Sequence, residues 1–344
     1  MTLRVVIVED SPIARAVLKQ TLEEDRDIAV VGMAEDDVSA LRVVKACMPD
    51  LVTMDIQMAG AGGLGAIEQI MAQAPVPILV VTALPTGPNT DLAFEALRRG
   101  ALDVAAKPSG PTRLADAAKL RRQVRSLAGV PVVRHVAALR TKAVPIAARM
   151  PTPARVPIVG IAASAGGPIA VAQVLAALPA RFAGTIAVVQ HLPKGFAAFF
   201  AAYLQRNTTL DVVMASDAML GGIEPRAGLV VVAPDDRHLV LGASGTLLAT
   251  QEPPESNYRP AASVLFRSLA RFGRASSVGV VLTGIGDDGA EGLLAMRRGG
   301  ALTIAQDAAT SAVFGMPRAA ITAGAATRIL PIGEIAQALV AAVS

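Results

Sequence analysis

Three residues in the second half of the chain could form a hydrolytic triad, because each follows an apolar stretch typical of a buried strand. The residues and their strands are Ser164 after Ile158–Ile161, His191 after Thr185–Gln190, and Asp288 after Val278–Thr283. The carboxyl ends of parallel strands meet at one edge of a sheet, so these side chains can share a crevice. A serine hydroxyl becomes a nucleophile when a histidine takes its proton and an aspartate orients that histidine.

The turn around the serine is built from small residues, Ala-Ala-Ser-Ala-Gly-Gly-Pro. A serine in a tight turn between a strand and a helix lies near main-chain N–H groups that can stabilise an oxyanion. The candidate donors are the N–H groups of Ala165 and Gly166 in this turn, and that of Ile285 in the glycine-containing loop before Asp288.

Two other interpretations of the turn stay open. In one, Ser164 only caps the following helix, while Gly166 and Gly167 only permit a tight turn. In the other, the glycine turn binds the phosphate of a nucleotide. The turn lacks the G-x-G-x-x-G spacing of dinucleotide-binding loops, however, and the nucleotide interpretation gives His191 and Asp288 no role. The triad is favoured because three residue types that need one another occur together.

The order of the triad residues excludes an ordinary α/β-hydrolase. That class has the order Ser, Asp, His and a G-x-S-x-G elbow, whereas Ala162 stands two positions before the serine of this chain. Of the three histidines, His135 lies in a proline-rich stretch and His238 in a charged turn. His191 alone follows a buried strand.

A second group of polar residues lies at predicted strand ends in the first third of the chain: Glu9, Asp10, Asp55, Thr82 and Lys107. Converging carboxylates repel one another unless a cation neutralises them, and their hard oxygen atoms suit Mg²⁺. The lysine suits a phosphoryl group or a carboxylate, and the threonine offers a hydroxyl donor. The alternative is a set of solvated loop ends.

Strands and helices alternate up to residue 127 and again from residue 157, which predicts two α/β domains with parallel sheets. In the first, the predicted strands are Leu3–Val8, Ile28–Met33, Leu51–Met54, Pro77–Val81 and Ala101–Ala105, and the predicted helices are Pro12–Glu24, Asp36–Cys47, Leu64–Ala72, Asn89–Arg99 and Arg113–Leu127. In the second, further strands are Leu229–Val232 and Ala301–Ala305, the hairpin is His238–Leu241 with Leu247–Thr250, and the helices are Ile169–Leu178, Ala290–Arg298 and Glu334–Val343.

Residues 128–156 break this alternation and predict a linker. They hold four prolines, five basic residues and no acidic residue, with one helical patch at Val136–Lys142. The predicted domains are therefore residues 1–127 and 157–344. A solvated linker is favoured over a contact between its basic residues and an acidic partner.

Composition excludes several classes of function. One cysteine excludes an intrachain disulfide and a multi-cysteine metal site. A net charge of +4 is too small to indicate nucleic-acid binding. The chain begins in a strand pattern without a signal peptide, and no apolar run reaches the length of a membrane span. We therefore expect a cytoplasmic protein without membrane insertion.

The first domain resembles the response-regulator receiver domain, through Glu9-Asp10-Ser11, Asp55, Thr82 and Lys107-Pro108. The resemblance implies a doubly wound, flavodoxin-like sheet of five parallel strands. It implies that Asp55 accepts phosphate from a chemotaxis-type histidine kinase and that Glu9 and Asp10 hold Mg²⁺ with it. Thr82 and Lys107 would read the phosphorylated state, and Lys107-Pro108 is a candidate for a cis bond.

The receiver resemblance has one clear departure. After the phosphoacceptor the family usually carries Met-Pro and then Met-Asp-Gly, whereas this chain reads Met-Ala-Gly-Ala-Gly-Gly over residues 58–63. Loss of the proline and gain of glycines should loosen this loop. We expect slower phosphotransfer or weaker coupling of the phosphorylated state, but still phosphorylation.

From residue 157 the chain resembles the chemotaxis methylesterases of the CheB family. The matching motifs are Ala163-Ser164-x-Gly166-Gly167-Pro168, Gln190-His191-x-Pro193-x-Gly195-Phe196, Ala233-Pro234-x-x-Arg237-His238, Arg259-Pro260, Thr283-Gly284-x-Gly286-x-Asp288-Gly289-Ala290, Ala305-Gln306 and Phe314-Gly315-Met316-Pro317-Arg318. The resemblance implies a Rossmann-like α/β domain with a mostly parallel sheet, in which Ser164 is the nucleophile, His191 the general base and acid, and Asp288 the orienting carboxylate.

The activity implied is hydrolysis of glutamate γ-methyl esters on the cytoplasmic helices of chemoreceptors, which releases methanol, and deamidation of certain receptor glutamines. No cofactor is implied for this domain. The departures from the family pattern are Ala165, Ser256, Tyr258, Ser263 and Ile285. They support an alternative, a CheB-like regulator of a non-chemotactic pathway with another partner or little turnover. In the favoured hypothesis, the unphosphorylated receiver covers the crevice until Asp55 is phosphorylated.

Overall fold

Two parallel sheets, one in each half of the chain, carry the polar residues singled out above. The structure, a computed structural model, describes residues 2–58, 62–83, 89–110, 113–130, 156–216, 221–273 and 277–343. Those up to 130 belong to one compact unit and those from 156 to another. Most of the predicted linker, with His135 and the helical patch Val136–Lys142, lies outside the described residues.

The first unit alternates five strands and five helices. The strands are β1 (Leu3–Val8), β2 (Ile28–Ala34), β3 (Leu51–Met54), β4 (Ile78–Thr82) and β5 (Asp103–Ala106), and the helices are α1 (Pro12–Glu23), α2 (Asp37–Cys47), α3 (Gly62–Gln73), α4 (Asn89–Arg98) and α5 (Arg113–Leu127). Their sheet order is β2-β1-β3-β4-β5, with every pairing parallel. All ten predicted elements of this half are confirmed, with ends within two residues.

Local sequence signals explain why helices begin directly after strand ends in this unit. Ser11 accepts a hydrogen bond from the N–H of Ala14 at the start of α1, and Pro12 occupies its first turn. Asp36 and Ser39 form a reciprocal capping box at the start of α2. These caps end β1 and β2 promptly, so Glu9 and Asp10 remain at the carboxyl edge of the sheet.

The second unit holds a sheet of seven strands and a separate hairpin. The strands are β6 (Ile158–Ala163), β7 (Thr185–Gln190), β8 (Asp211–Met214), β9 (Leu229–Val232), β10 (His238–Leu241), β11 (Leu247–Thr250), β12 (Ser277–Val281), β13 (Leu302–Gln306) and β14 (Arg328–Leu330), and the helices are α6 (Gly167–Ala176), α7 (Ala197–Asn207), α8 (Ala262–Ser268), α9 (Ala290–Arg298), α10 (Met316–Thr322) and α11 (Ile332–Val343). A π-helical turn, Leu269–Gly273, extends α8.

The order of the large sheet places the three triad strands side by side. It runs β14-β13-β12-β6-β7-β9-β8, with all pairings parallel, while β10 and β11 pair antiparallel as predicted. The strands that follow β6 in the chain, β7 to β9, lie on one side of it. The later strands, β12 to β14, lie on its other side. A change of direction of this kind opens a crevice at the carboxyl edge, and the residue after β6 is Ser164.

Five elements of the second unit were not predicted: α7, β8, α8, α10 and β14. The two strands lie at the edges of the sheet and are partly exposed, so they lack the continuous apolar run of a central strand. Helices α8 and α10 have seven residues each, too few to show a clear helical period. Among the described residues the cis peptide bond is Arg259-Pro260, so the expectation of a cis bond at Lys107-Pro108 was wrong.

Candidate active site

Ser164 follows β6 directly and opens the turn that leads into α6. Its N–H donates to the carbonyl of Thr283 at 3.0 Å, and its carbonyl accepts from the N–H of Gly167 at 2.8 Å. The residue is 8% exposed. Its Oγ makes no hydrogen bond within the part of the chain that the structure describes. The main chain is therefore fixed, while the hydroxyl is free for a base or a substrate.

The loop after β12 packs directly against the serine. A methyl group built on Gly284 would stand 2.8 Å from the Cβ atom of Ser164 and closer still to the Sδ atom of Met316. Only a glycine permits this approach of two main chains. The carbonyl of Gly284 also accepts hydrogen bonds from Gly315 and Met316, at 3.1 and 2.9 Å. The loop that leads to Asp288 is thereby held beside the nucleophile.

His191 and Asp288 are paired, as the triad requires. The Nε2 atom of His191 lies 2.9 Å from the Oδ2 atom of Asp288. The Nδ1 atom of the same imidazole is buried and has no hydrogen-bond partner among the residues that the structure describes. The carboxylate therefore fixes one edge of the ring, and the other ring nitrogen is left to exchange a proton.

Two main-chain N–H groups hold the Asp288 carboxylate in place. Ala262 donates to Oδ2 at 2.7 Å and Ser263 donates to Oδ1 at 3.0 Å, both at the start of α8. Burial by itself raises the pKa of Asp288. Hydrogen bonds from His191 and from these N–H groups outweigh burial, so the pKa lies below the ordinary aspartate value. Asp288 is thus an ionised, oriented partner for the imidazole.

An aromatic ring covers the imidazole from one face. The rings of Tyr258 and His191 are stacked, with 4.1 Å between their centroids and 8° between their planes. The sequence analysis identified Tyr258 only as a departure from the family pattern. A signal for its placement is the preceding Ser-Asn pair, since asparagine tolerates the left-handed conformation that tight turns need.

The three predicted oxyanion donors differ in exposure. The N–H groups of Ala165, Gly166 and Ile285 donate to no acceptor in the described part of the chain. Ala165 is wholly buried, whereas Gly166 and Ile285 retain exposed surface. The latter two are therefore the better placed to receive a substrate oxygen.

In the first unit, the structure brings together the three carboxylates predicted to bind a cation. Glu9, Asp10 and Asp55 each offer an oxygen atom within 4.8 Å of the others. Glu9 and Asp55 are buried and Asp10 is exposed. A set of hard carboxylate oxygens, one of them open to water, fits Mg²⁺, which keeps several water ligands when bound to proteins.

Lys107 completes this cluster. Its Nζ atom lies 2.7 Å from the Oε2 atom of Glu9 and 2.7 Å from the Oδ2 atom of Asp55. The main-chain N–H of Lys107 donates to the carbonyl of Thr82 at 2.8 Å, which brings the ends of β4 and β5 together. All five predicted residues of this site thus lie at the carboxyl edge of the sheet.

The charges of the cluster perturb one another. Burial raises the pKa of Glu9, and the opposing effect of Lys107 does not cancel it. Burial lowers the pKa of Lys107, but its bonds to Asp55 and Glu9 outweigh burial and leave that pKa raised. A lysine so firmly protonated is suited to a phosphoryl group on the neighbouring aspartate.

Comparison with known proteins finds a family for each half of the chain. The family model for CheB methylesterase matches residues 159–339, and that for the response regulator receiver domain matches residues 5–119. The chain belongs to the CheB methylesterase family. Ser164, His191 and Asp288 lie in the region that matches the CheB methylesterase model. Asp55 lies in the region that matches the receiver model.

Relatives of this CheB family member match over nearly the full chain. A "Protein-glutamate methylesterase/protein-glutamine glutaminase 2" of Anaeromyxobacter dehalogenans is 45% identical over 339 residues, covering 98% of this chain and 96% of the relative. A "Protein-glutamate methylesterase/protein-glutamine glutaminase 1" of Bordetella avium is 43% identical over 340 residues, with the same coverage of 98% and 96%. Neither name favours the alternative of a non-chemotactic regulator.

A solved structure matches the second unit of the CheB family member. The Thermotoga maritima CheB methylesterase catalytic domain is 35% identical, with a TM-score of 0.51, and the match covers 54% of this chain and 98% of that domain.

In the described residues, no helix is both long and apolar enough to cross a membrane.

Proposed function

We propose that this protein hydrolyses the γ-methyl esters of glutamate side chains on the cytoplasmic helices of chemoreceptors and deamidates certain receptor glutamines. One observation carries the proposal: the 2.9 Å bond between His191 Nε2 and Asp288 Oδ2 lies at the carboxyl ends of strands that flank the strand of Ser164. The names of the relatives support the same reaction. The cytoplasm is the compartment in which these receptor helices are available.

Ser164 attacks the ester carbonyl carbon while the Nδ1 atom of His191 takes the hydroxyl proton. The negative charge of Asp288 stabilises the imidazolium that forms. The imidazolium then gives its proton to the departing methoxide, so methanol leaves and an acyl-enzyme remains. Water then attacks the acyl-enzyme while His191 takes its proton. His191 returns a proton to the serine oxygen, which releases glutamate and restores Ser164.

Main-chain N–H groups stabilise the oxyanion of each tetrahedral intermediate. Gly166 and Ile285 are assigned this role because their N–H groups have no acceptor within the described ranges and because both residues retain exposed surface. Ala165 stays a candidate from sequence, although it is wholly buried. One such donor contributes about 10²–10³-fold to the turnover rate in a comparable serine hydrolase. This domain needs no cofactor for these steps.

The receiver regulates this reaction in the proposal. Glu9, Asp10 and Asp55 would hold Mg²⁺, which neutralises the charge of an incoming phosphoryl group. The Asp55 carboxylate accepts the phosphoryl group from a chemotaxis-type histidine kinase, Lys107 pairs with its oxygen atoms, and Thr82 supplies a hydroxyl. Phosphorylation then raises the methylesterase rate.

The domain limits proposed are 1–127 and 157–344, with 128–156 as linker.

Methanol release from a methylated chemoreceptor fragment tests this proposal, with and without a small phosphodonor and Mg²⁺. The wild type is compared with Ser164→Ala and Asp55→Ala. We expect release that needs Ser164 and rises with phosphodonor only when Asp55 is present. If no methylated receptor yields methanol while Asp55 still becomes phosphorylated, the proposed substrate is wrong and the non-chemotactic alternative takes its place.

A further inference from the structure

Tyr258 contacts the general base but belongs to none of the roles assigned above. Its ring lies flat against His191, 4.1 Å away and 8° from parallel. Asp288 bonds the edge of the same imidazole. The two contacts are at right angles, since one lies in the ring plane and the other lies on its face. Together they restrict both tilting and sliding of the ring.

A tight turn delivers the tyrosine to this position. Glu255 and Tyr258 exchange two main-chain hydrogen bonds, of 3.1 and 2.8 Å. The residues between them, Ser256 and Asn257, have φ angles of 49° and 69°. Two successive left-handed residues closed by such bonds form a type I′ turn, which has a well-defined geometry.

Ion pairs anchor the turn on both sides. Before the turn, Glu255 accepts from both guanidinium ends of Arg267 on α8, one of them at 2.8 Å. After it, Arg259 donates to Asp236 through two nitrogen atoms, at 2.6 and 2.9 Å. The Arg267 pair is bidentate and restrains orientation as well as distance, whereas both Arg259 nitrogen atoms meet the single oxygen atom Oδ1 of Asp236. The turn is therefore held to the body of the domain by paired side chains on each flank.

Space for the far end of the tyrosine comes from a glycine. A methyl group built on Gly286 would stand 3.1 Å from the Tyr258 hydroxyl oxygen. Gly286 belongs to the loop between β12 and Asp288, next to the oxyanion candidate Ile285. The tyrosine thus reaches from the imidazole to the loop that carries the rest of the site.

We propose that Tyr258 is a positioning residue that fixes the plane of the His191 ring for proton transfer with Ser164. The inference rests on the proposed function, because it assigns a role within that hydrolytic site. With its edge bonded to Asp288 and its face against Tyr258, the imidazole keeps one ring plane, in which Nδ1 is the nitrogen without a hydrogen-bond partner among the described residues. A π face is also a favourable neighbour for the imidazolium that forms during attack.

The kinetic test compares Tyr258→Phe with Tyr258→Leu. We expect Tyr258→Phe to keep kcat within about twofold, because the ring carries the effect. Tyr258→Leu should lower kcat roughly tenfold with KM nearly unchanged, since a displacement of about 1 Å at a reacting group can cost up to 10²-fold. Phe272→Leu is the matched control: it also replaces an aromatic ring by leucine, but that ring lies on the π-helical turn and packs against the hydrophobic core, so kcat should stay at the wild-type level.

Nuclear magnetic resonance of the His191 ring tests the stack independently of turnover. The chain has three histidines, so the ring protons can be assigned with a His191→Gln variant in histidine-labelled full-length protein. A stacked aromatic ring shifts the protons below it upfield. We expect this shift in the wild type and in Tyr258→Phe, and its loss in a Tyr258→Leu protein whose circular dichroism shows that it is folded.

Two assays separate this inference from the proposed function. Methanol release from a methylated receptor tests the function, and Ser164-dependent hydrolysis of an activated aryl ester tests the serine and its base alone. If the aryl ester is cleaved but receptors are not, the function is wrong and the variants are compared on the aryl ester. Wild-type kcat in folded Tyr258→Leu, a large loss in Tyr258→Phe, or no Ser164-dependent hydrolysis of either substrate overturns the positioning role.

Discussion

The side-chain amide of Gln190 donates a 2.7 Å hydrogen bond to the main-chain carbonyl of Ser164. The same nitrogen donates to the carbonyl of His191 at 3.0 Å. One amide, at the last residue of β7, therefore joins the main chains of the proposed nucleophile and its base across two neighbouring strands. The Ser164 carbonyl also accepts from the N–H of Gly167, so loss of the amide removes two hydrogen bonds, each of which contributes about 0.5–1.5 kcal/mol to stability.

Replacing Gln190 by leucine should therefore affect both stability and turnover. We expect Gln190→Leu to lower the free energy of unfolding by about 1–3 kcal/mol. We also expect kcat for methanol release to fall about tenfold, because the nucleophile and base lose their shared restraint. Urea unfolding and initial rates of methanol release measure the two effects.

Gln205→Leu provides the matched control for Gln190→Leu. Gln205 also binds main-chain groups, donating to Leu210 at 3.0 Å and accepting from Val212 at 2.9 Å. It lies on α7, and its bonds do not involve the triad. This variant should lose stability without losing kcat. Equal loss of kcat in both variants would show that the effect of Gln190 is general destabilisation.

Gly284→Ala should disrupt the contact between the Asp288 loop and the serine. Its Cβ atom would stand 2.8 Å from the Cβ atom of Ser164, a distance that requires one main chain to move. Overpacking of this kind costs about 1–3 kcal/mol of unfolding free energy. We expect methanol release to fall at least tenfold, because a shift of about 1 Å at the nucleophile is enough for that loss.

Gly333→Ala is the control for Gly284→Ala. Gly333 lies in α11, and a methyl group built on it would have no neighbour within 4 Å among the described residues beyond its own helix backbone. Alanine in the first turn of this helix should change the unfolding free energy by less than about 1 kcal/mol, the largest effect at a mid-helix position, and leave the rate unchanged. Wild-type activity of Gly284→Ala would contradict the importance of this close approach.

The triad strands were predictable because a central parallel strand is a continuous apolar run, and the residues that follow it line the crevice. That rule alone grouped Ser164, His191 and Asp288 from three distant segments. The main-chain N–H groups of Ala262 and Ser263, which hold the Asp288 carboxylate, were not predictable. Every residue has an N–H group, and only the tertiary fold decides which of them meets a buried acceptor.

The stack on His191 was missed for a related reason. A tyrosine at the last position of a turn shows no periodicity, and its partner lies 67 positions earlier in the printed sequence. Only the left-handed conformation of Ser256 and Asn257 sends the ring toward the triad. The edge strands β8 and β14 were missed because their partly exposed residues do not resemble a buried strand.

In the receiver, Glu9→Gln should weaken the binding of Mg²⁺. The substitution keeps the shape of the side chain but removes one of three carboxylates whose oxygen atoms lie within 4.8 Å of one another. We expect the Mg²⁺ concentration for half-maximal phosphorylation of Asp55 to rise about tenfold, the effect of losing roughly 1.4 kcal/mol of binding free energy. Phosphorylation by a small phosphodonor across a Mg²⁺ titration measures it.

Glu68→Gln is the control for Glu9→Gln. The Glu68 side chain is 58% exposed and pairs with Arg99, away from the carboxylate cluster. An exposed pair of this kind contributes little to stability, so the Mg²⁺ requirement should not change. A similar shift in both variants would point to a general effect of charge rather than to a ligand at Glu9.

The lowered pKa of Asp288 predicts a pH-dependent contribution to stability. A carboxyl group with a lower pKa in the folded protein than in the unfolded chain binds fewer protons when folded. Its stabilisation is therefore complete above the ordinary aspartate value of 3.8 and is lost as the pH falls through the lower folded value. The difference in unfolding free energy between wild type and Asp288→Asn should shrink across that acidic window.

Urea unfolding of both proteins at a series of pH values measures this difference. Asp287→Asn serves as the control, because its carboxyl group is exposed and it stands beside Asp288 in sequence. That variant should follow the wild-type curve at every pH. At neutral pH, Asp288→Asn should also lower kcat by up to about 10⁴-fold, as the corresponding change does in a serine protease triad. A pH-independent difference, together with near-normal turnover, would show that Asp288 is not the ionised partner of His191.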